Sequence, residues 1–478
     1  MLETVFILPI CAGLLALFLP VRAGRVVLIA TGAAHLALTV LLWCDRPQPS
    51  FSANFFGVTS PGLLVLLVTS FIFACAAPYA VPYMREQEMR SEPIFIGCML
   101  LFLGTMSMAA LAEHAIMFWI AIEATTLASA PLIFINRSAK ALEATWKYVL
   151  ICSVGIALAL LGIFFITFSM ERAGLDLALT FSQFNTVAAQ LDPLWLKTGC
   201  IFVLIGFGTK MGLAPMHTWL PDAHSEAPSP ASGLLSGALL NCAFLGIYRV
   251  HTIMVLAGLG EFSSTLLIGF GLFSILVAGI FILQQPDYKR MLAYSSIENM
   301  GIIALGTGIG GLALYGAMLH LIHHSLLKSS LFLSAGNLML GLGTKLIAQC
   351  NSAARLLPRT SLCFLAGSIG IVGLPPFGMF LSELLIILGA FQMGHPIVAA
   401  LFILTLVLAT AGLAQGVLRL ILGGRAEHVE ILQPERSGRI LPPLVLLAAS
   451  ILLCVWIPAP LQQVIADTIT LIGGVFHG

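Results

Sequence analysis

Apolar runs follow one another along almost the whole chain, separated by short polar stretches. A membrane-crossing helix needs ~20 mainly apolar residues. The runs that meet this measure lie near 2–20, 25–43, 60–82, 92–111, 114–134, 146–168, 198–218, 228–256, 264–284, 292–308, 313–340, 361–392, 397–422 and 441–458. Their number predicts about fourteen spans. Several runs are longer than a bilayer is thick, which predicts tilt or breaks. The runs lack the weaker, ~10-residue alternation of a membrane barrel. Beyond them, Leu461–Gly478 sets Gln462, Gln463 and Asp467 among apolar residues. That pattern predicts an amphipathic end lying in the interface, too short for a long lateral helix.

Two runs carry helix breakers in register. The seventh contains Gly212-Leu213-Ala214-Pro215-Met216-His217-Thr218-Trp219-Leu220, and the twelfth Gly373-Leu374-Pro375-Pro376-Phe377-Gly378-Met379-Phe380-Leu381. Four of these nine positions agree at a constant offset of 161, which also sets Asp222 against Glu383. Gly and Pro inside a span free backbone groups that other polar groups must satisfy. Paired interrupted helices in two halves point to a transport site. The two runs are five apart, so the copies cross the membrane in opposite directions and the repeat is inverted. Two ordinary proline kinks are the plainer reading.

Composition fits the runs. Only 9% of the 478 residues are charged and 59% are hydrophobic. Soluble domains average about 25% charged, and disorder needs low hydrophobicity and high charge. The net charge of +1 gives no reason to expect nucleic acid. Lysine and arginine placement predicts orientation. Fifteen of them (Arg22, Arg25, Arg85, Arg90, Arg137, Lys140, Lys289, Arg290, Lys345, Arg355, Arg359, Arg419, Arg425, Arg436, Arg439) follow odd-numbered runs, against four (Arg46, Arg172, Lys197, Arg249) after even ones. Both termini are therefore expected on the outer side. No cleavable signal is expected, because the first run follows Glu3 rather than a basic segment. The ten cysteines are scattered, with no pair closer than Cys350 and Cys363, so no zinc or iron–sulfur site is expected. Phosphate loops, nucleophile signatures and nucleotide fingerprints are absent; the Gly308-Ile309-Gly310-Gly311 stretch has no strand before it.

The charges inside the runs are the candidate chemistry. Glu123 lies mid-way along the fifth run and Lys210 just before the break in the seventh. An intramembrane charge is expensive and faces the bundle interior or water. Burial disfavours the charged form of each group and a neighbour of opposite charge restores it. The pair is expected to be a proton site, with a locked packing pair as the alternative. In the eleventh run His320, His324 and Lys328 recur every four residues and form one stripe. Histidine titrates near neutrality, so the stripe suits a proton relay. A metal pair at His320 and His324 is disfavoured by the nearby lysine, and structural hydrogen bonding is the remaining reading. His323 points elsewhere. Glu383, after the double proline, repeats the Glu123 argument, with an exposed helix-end residue as its plain reading. Lys147 opens the sixth run, where snorkelling to the interface is an equal alternative. Asp222, His224 and Glu226 follow the seventh run at its inner end; they either cap the eighth helix or form a proton entry funnel.

The stretch from Lys210 to His224, Lys210-Met211-Gly212-Leu213-Ala214-Pro215-Met216-His217-Thr218-Trp219-Leu220-Pro221-Asp222-Ala223-His224, resembles a signature of one superfamily, as does Lys289-Arg290-Met291-Leu292-Ala293-Tyr294-Ser295-Ser296-Ile297. The chain is similar to the antiporter-like proton-channel subunits of respiratory complex I, membrane-bound hydrogenases and multisubunit sodium/proton antiporters, over roughly residues 90–420. Leu234-Leu235-Ser236-Gly237-Ala238-Leu239-Leu240-Asn241-Cys242-Ala243 and Trp146-Lys147-Tyr148-Val149-Leu150 look most like the F component of hydrogenase-4 type complexes. The resemblance implies an all-α membrane fold of fourteen helices, with two inverted five-helix repeats, broken helices 7 and 12, and a hydrated charged axis at mid-membrane. The implied domains are residues 1–90, 91–257, 258–425 and 426–478. By motif, Glu123 takes the helix 5 glutamate role and Lys210 the helix 7 lysine role. Lys328, with His320 and His324, takes the helix 11 link, and Glu383 the terminal helix 12 site. Asn241 stands near the position where many relatives place a lysine or histidine. It cannot hold a proton, so the central wire would then depend on His217 or bound water.

The expected function is proton translocation within a larger, redox-driven complex of the prokaryotic cytoplasmic membrane. The chain itself is expected to hold no cofactor. Iron–sulfur clusters and nickel–iron or flavin centres are expected only in partner subunits, which comprise further membrane subunits and peripheral redox subunits. A sodium/proton antiporter without redox partners is an alternative. A membrane partner of an inorganic-carbon uptake complex, with a soluble zinc protein on its cytoplasmic face, is another.

Overall fold

The computed structural model describes residues 2–45, 54–89, 91–350, 352–423 and 431–472. Arg46, Arg90 and Arg425, used above for orientation, lie outside these, as does the tail beyond 472. Helix follows the apolar runs. In chain order the α-helices are α1 (Thr4–Ala16), α2 (Val21–Cys44), α3 (Ser60–Glu86), α4 (Glu92–Leu111), α5 (Ala115–Phe134), α6 (Ala139–Arg172), α7 (Phe181–Val187), α8 (Pro193–Met211), α9 (Trp219–Glu226), α10 (Ser229–Leu234), α11 (Leu240–Leu256), α12 (Gly260–Ile282), α13 (Tyr288–Ile309), α14 (Gly311–Leu342), α15 (Ala353–Leu356), α16 (Pro358–Ile371), α17 (Gly378–Gln392), α18 (Pro396–Leu422), α19 (Ser437–Val455) and α20 (Ala459–Thr470). A five-residue π-turn, Leu235–Leu239, joins α10 to α11. Among the described residues, eleven helical stretches are long and apolar enough to cross a membrane, counting Ser229–Leu256 as one. The chain is an all-helical, multi-pass membrane protein.

Local sequence sets the helix starts. Thr59, Ser138, Asp192 and Asp287 accept hydrogen bonds from first-turn amides of α3, α6, α8 and α13, the usual N-cap arrangement. Prolines open α8, α16 and α18, where a missing N–H loses no helical bond. The α6 helix starts earlier than its apolar run, so Lys147 lies in its third turn rather than at its opening. The seventh run divides into α8 and α9, and the twelfth into α16 and α17. Gly212 and Gly373 sit at the two break points with φ of +84° and +73°. Side chains with a Cβ rarely adopt that region. The Ala214–Pro215 and Pro375–Pro376 peptide bonds are both cis.

The core is helix packed on helix around α14. Nearly all of its 32 residues are buried, and it touches α3, α10, α13, α16, α17, α19 and α20. The α6 and α8 helices meet through Gly155, Gly162, Gly199 and Gly206, close enough that a Cβ at Gly206 would lie 2.5 Å from the Ala159 nitrogen. Small residues allow such approach between membrane helices. The outer faces of α6 and α18 present Leu150, Val154, Ile397, Leu404 and Val407, all exposed, as lipid-facing surface requires.

Two expectations change. Arg249, counted above as a loop residue, is buried inside α11 at 5% exposure. Its guanidinium donates to the Ala112 carbonyl at 2.7 Å and lies over the Phe118 and Phe181 rings. The C-terminal α20 is amphipathic as expected, but its apolar face, with Leu461, Val464 and Ile465, is buried on α3 and α14.

Candidate functional site

In the first half, α5, α6 and α8 converge on Lys210. Its helix ends two residues later at Gly212, so the ammonium lies in the last turn of α8, where the partial negative charge of a helix C-terminus favours a cation. Lys210 is fully buried. Its Nζ donates to Thr126 Oγ1 of α5 at 2.7 Å and to Tyr148 OH of α6 at 2.8 Å. The Tyr148 hydroxyl is in turn 2.6 Å from Ser129 Oγ. Glu123, one turn before Thr126, is half-buried; Ser153 donates to its Oε1 at 2.7 Å, while Oε2 has no hydrogen-bond partner. The expected Glu123–Lys210 pair is therefore not a direct ion pair: each group is held by neutral hydroxyls.

The break beyond Lys210 is satisfied locally. The Trp219 indole donates to the freed Thr209 carbonyl at 2.9 Å, and Ser274 of α12 accepts from the Ala214 amide at 2.9 Å. His217 lies in this break, buried, with no partner on Nδ1, its ring 6.3 Å from that of Tyr294.

The π-turn links the halves. Ser236 Oγ is 2.8 Å from Ser296 Oγ of α13. Asn241 Nδ2 donates to Gly237 O at 2.9 Å and to Ser325 Oγ of α14 at 2.7 Å, leaving Oδ1 without a partner. π-turns concentrate at functional sites. His324, one residue before Ser325, is fully buried beside the Ser236 backbone, and neither ring nitrogen makes a hydrogen bond of ordinary geometry.

In the second half, Lys328 of α14 is also fully buried. Its Nζ donates to Leu292 O at 2.7 Å and to Ser295 Oγ at 2.8 Å, both on α13. About two turns earlier on α14, the His320 ring bridges Asn299 Oδ1 of α13 (3.0 Å) and Ser382 Oγ of α17 (2.9 Å). Glu383 follows Ser382. It is buried at 5% exposure rather than standing free at a helix end, and its carboxylate fills the space over the second break: a Cβ on Gly373 would lie 2.1 Å from Oε2. Its Oε1 has no partner. His323 turns away toward Ser450 of α19, at 3.1 Å.

The residues expected at the inner face divide. Asp222 is a hub: it pairs with Lys147 at 3.0 Å and, in very close contact, with Arg290 of α13. Lys147 also pairs with Glu143. Glu226 pairs with Lys345 at 2.7 Å, and Ser225 donates to Asp287 at 2.7 Å. These groups line a cleft of about 430 Å³. Neither acid caps the next helix, since α10 has Pro228 at its N-cap and no side-chain cap. His224 is not in the cleft; it is fully buried, stacked 4.8 Å from Phe332, with neither ring nitrogen bonded.

Sequence reasoning missed the hydroxyls that hold the lysines, Thr126, Tyr148 and Ser295, because spacing along one helix does not reveal a partner on another. It also missed Glu298 of α13, a carboxylate at 5% exposure whose electrostatic neighbours are Lys328 and Glu383. A carboxylate in the tenth apolar run was a readable signal. Among the described residues no group of three or more His, Cys, Asp or Glu side chains is placed to hold a metal ion.

A family model described as "NADH:quinone oxidoreductase/Mrp antiporter, TM" matches residues 112–409, the stretch that contains every buried charge of the axis. The chain belongs to this family. It is 36% identical over 370 residues to the hydrogenase-4 component F homolog of Methylacidiphilum infernorum, covering 75% of this chain and 77% of that protein. It is 30% identical over 399 residues to the NADH-quinone oxidoreductase subunit N of Desulforudis audaxviator, covering 80% and 77%. A chain in the structure of respiratory complex I from Thermus thermophilus with bound NADH superposes with a TM-score of 0.84, at 22% identity, over 99% of this chain and all of that one; the fold is shared. This antiporter-like membrane subunit accordingly carries the family's implied activity, ion translocation.

Proposed function

We propose that this chain moves protons through a redox-driven membrane complex of the hydrogenase-4 or complex I type. The observation that carries the reading is the distribution of orphaned polar atoms. Glu123 Oε2, His217 Nδ1, Asn241 Oδ1, both His324 nitrogens and Glu383 Oε1 are buried without a hydrogen bond of ordinary geometry, on helices and break segments that carry or neighbour Lys210 and Lys328. Buried polar atoms are nearly always bonded, and inside an apolar bundle water supplies the missing partners. Alternating titratable groups and water is what a proton path needs; charge changes in partner subunits would then propagate along it electrostatically. The 36% identity to a hydrogenase-4 component F homolog supports that type of complex.

In this reading the chain crosses the membrane fourteen times with both termini outside. Residues 91–257 and 258–425 form the two inverted repeats, flanked by 1–90 and 426–478. Helices α8/α9 and α16/α17 are their broken members. The redox centres reside in partner subunits. The test is Glu123→Gln in the complex purified from its own membranes and reconstituted into vesicles. Proton translocation is expected to fall by at least about tenfold in an assembled complex; unchanged translocation overturns the reading. The proteins that co-purify discriminate the driving reaction: nickel–iron and iron–sulfur subunits support the hydrogenase-type pump, whereas membrane subunits alone, with cation-dependent exchange, contradict it in favour of an antiporter.

A further inference from the structure

The two lysines are held by the same construction. Lys210 donates to Thr126 Oγ1 at 2.7 Å, and Thr126 lies one turn after Glu123 on α5. Lys328 donates to Ser295 Oγ at 2.8 Å, and Ser295 lies one turn before Glu298 on α13. In each half a buried ammonium is therefore anchored on a hydroxyl one turn away from a carboxylate on the same helix. The order along the chain differs between the two, Glu before Thr on α5 and Ser before Glu on α13, so the likeness lies in the local construction rather than in a residue-by-residue repeat. The helices also correspond: α5 and α13 occupy the fifth and tenth apolar runs, five apart, as the two broken helices are. Both carboxylates follow isoleucine, in Ile122-Glu123 and Ile297-Glu298, and they stand about two and about three turns from the starts of their helices.

Glu298 is buried and makes no direct ion pair, yet Lys328 and Glu383 are its electrostatic neighbours. A lysine with two neighbouring carboxyls is neutral overall when the group holds two protons, one completing the ammonium and one on either carboxyl, because two adjacent negative charges disfavour each other. Its charged neighbours are Lys328 of α14 and Glu383 of α17; His320 of α14 bonds Asn299, the next residue on α13, and Tyr294 lies one turn away on the same helix. The α12 helix has a titratable side chain only at Glu261 in its first turn and α18 only at Arg419 in its last. The acids of α9 line the cleft, while His224 of α9 and His324 of α14 are fully buried and have Lys328 among their charged neighbours.

We propose that Glu298 is a proton-carrying carboxylate of the second half, standing to Lys328 as Glu123 stands to Lys210, and that protons pass from Lys328 through Glu298 to Glu383. Each step moves one proton and leaves the donor one unit more negative. The inference rests on the proton-translocation reading above. The test uses the complex from its own membranes, reconstituted in vesicles, with Glu298→Gln, Glu298→Asp and, as control, Lys210→Met. Glu298→Gln is expected to cut proton translocation by at least about tenfold, and Glu298→Asp to retain most of it with a displaced pH profile, which a merely structural carboxylate would not move. Normal translocation in Glu298→Gln alongside a dead Lys210→Met overturns this inference alone. Normal translocation in both overturns the underlying reading. Should Glu298→Gln fail to assemble, an unchanged pH profile in Glu298→Asp overturns the inference and a displaced one supports it.

Discussion

The two broken helices solve one problem in different ways. At the first break the freed backbone is closed by Trp219 and Ser274, and the charge, Lys210, stands before the break on α8. At the second, the charge stands after it: Glu383 lies on α17 and its carboxylate reaches back over Gly373. The lysine of the second half has moved to the unbroken α14. The first half thus holds a cation at its break and the second an anion. A cation and an anion bind a proton with different strength, so the two breaks are chemically unlike. The comparison teaches that the two breaks share backbone geometry more strictly than they share the charges beside them.

The strongest way to break the comparison is to ask whether the halves act in series. Lys328→Met is expected to abolish translocation as fully as Lys210→Met, by at least about tenfold, in reconstituted vesicles. Two parallel paths would instead leave about half the flux in each variant.

The same substitution at the two break points sharpens it further. Gly212→Ala and Gly373→Ala each place a Cβ at positive φ, at ~1–2 kcal/mol, so thermal unfolding in detergent should show similar losses of stability. Only Gly373→Ala drives into a carboxylate, at 2.1 Å from Glu383 Oε2; at Gly212 the Cβ meets the Leu220 side chain. Gly373→Ala is therefore expected to lower translocation several-fold more. Equal effects on translocation would show that the Glu383 carboxylate is not used where it lies.

Smaller effects follow from the hydroxyls. Tyr148→Phe removes one of two acceptors from Lys210, and Ser295→Ala one of two from Lys328. Each is expected to slow translocation by a few-fold, the equivalent of ~1 kcal/mol, measured as initial rates. The smallest effect belongs to the cleft around Asp222. Glu226→Gln breaks a partly exposed pair with Lys345, for which ~1 kcal/mol or less of stability is expected in thermal unfolding at low salt.

The helices, the breaks and the buried line of Glu123, Lys210, His320, Lys328 and Glu383 were legible because each rests on a local pattern: an apolar run, a Gly-Pro interruption, a charge where charge is expensive. What was not legible depends on which helices touch. Lys210 was expected to meet Glu123 and instead bonds Thr126 and Tyr148, since side-chain reach across α5, α6 and α8 decides the partner. Asn241 looked like a gap in the wire, yet its amide bonds Ser325 on α14. Asp222 and His224, two residues apart, part company because α9 is helical there, sending one to the cleft and the other into the core. Arg249 looked like a loop cation; only the fold shows the aromatic rings and carbonyls that bury it.

The central claim is that protons cross by way of Lys210. The direct measurement counts protons moved per turnover of the driving reaction in vesicles holding the assembled complex with Lys210→Ala. The account predicts that turnover-linked proton movement through this subunit is lost while the complex stays intact. An intact complex with an unchanged proton count would contradict it.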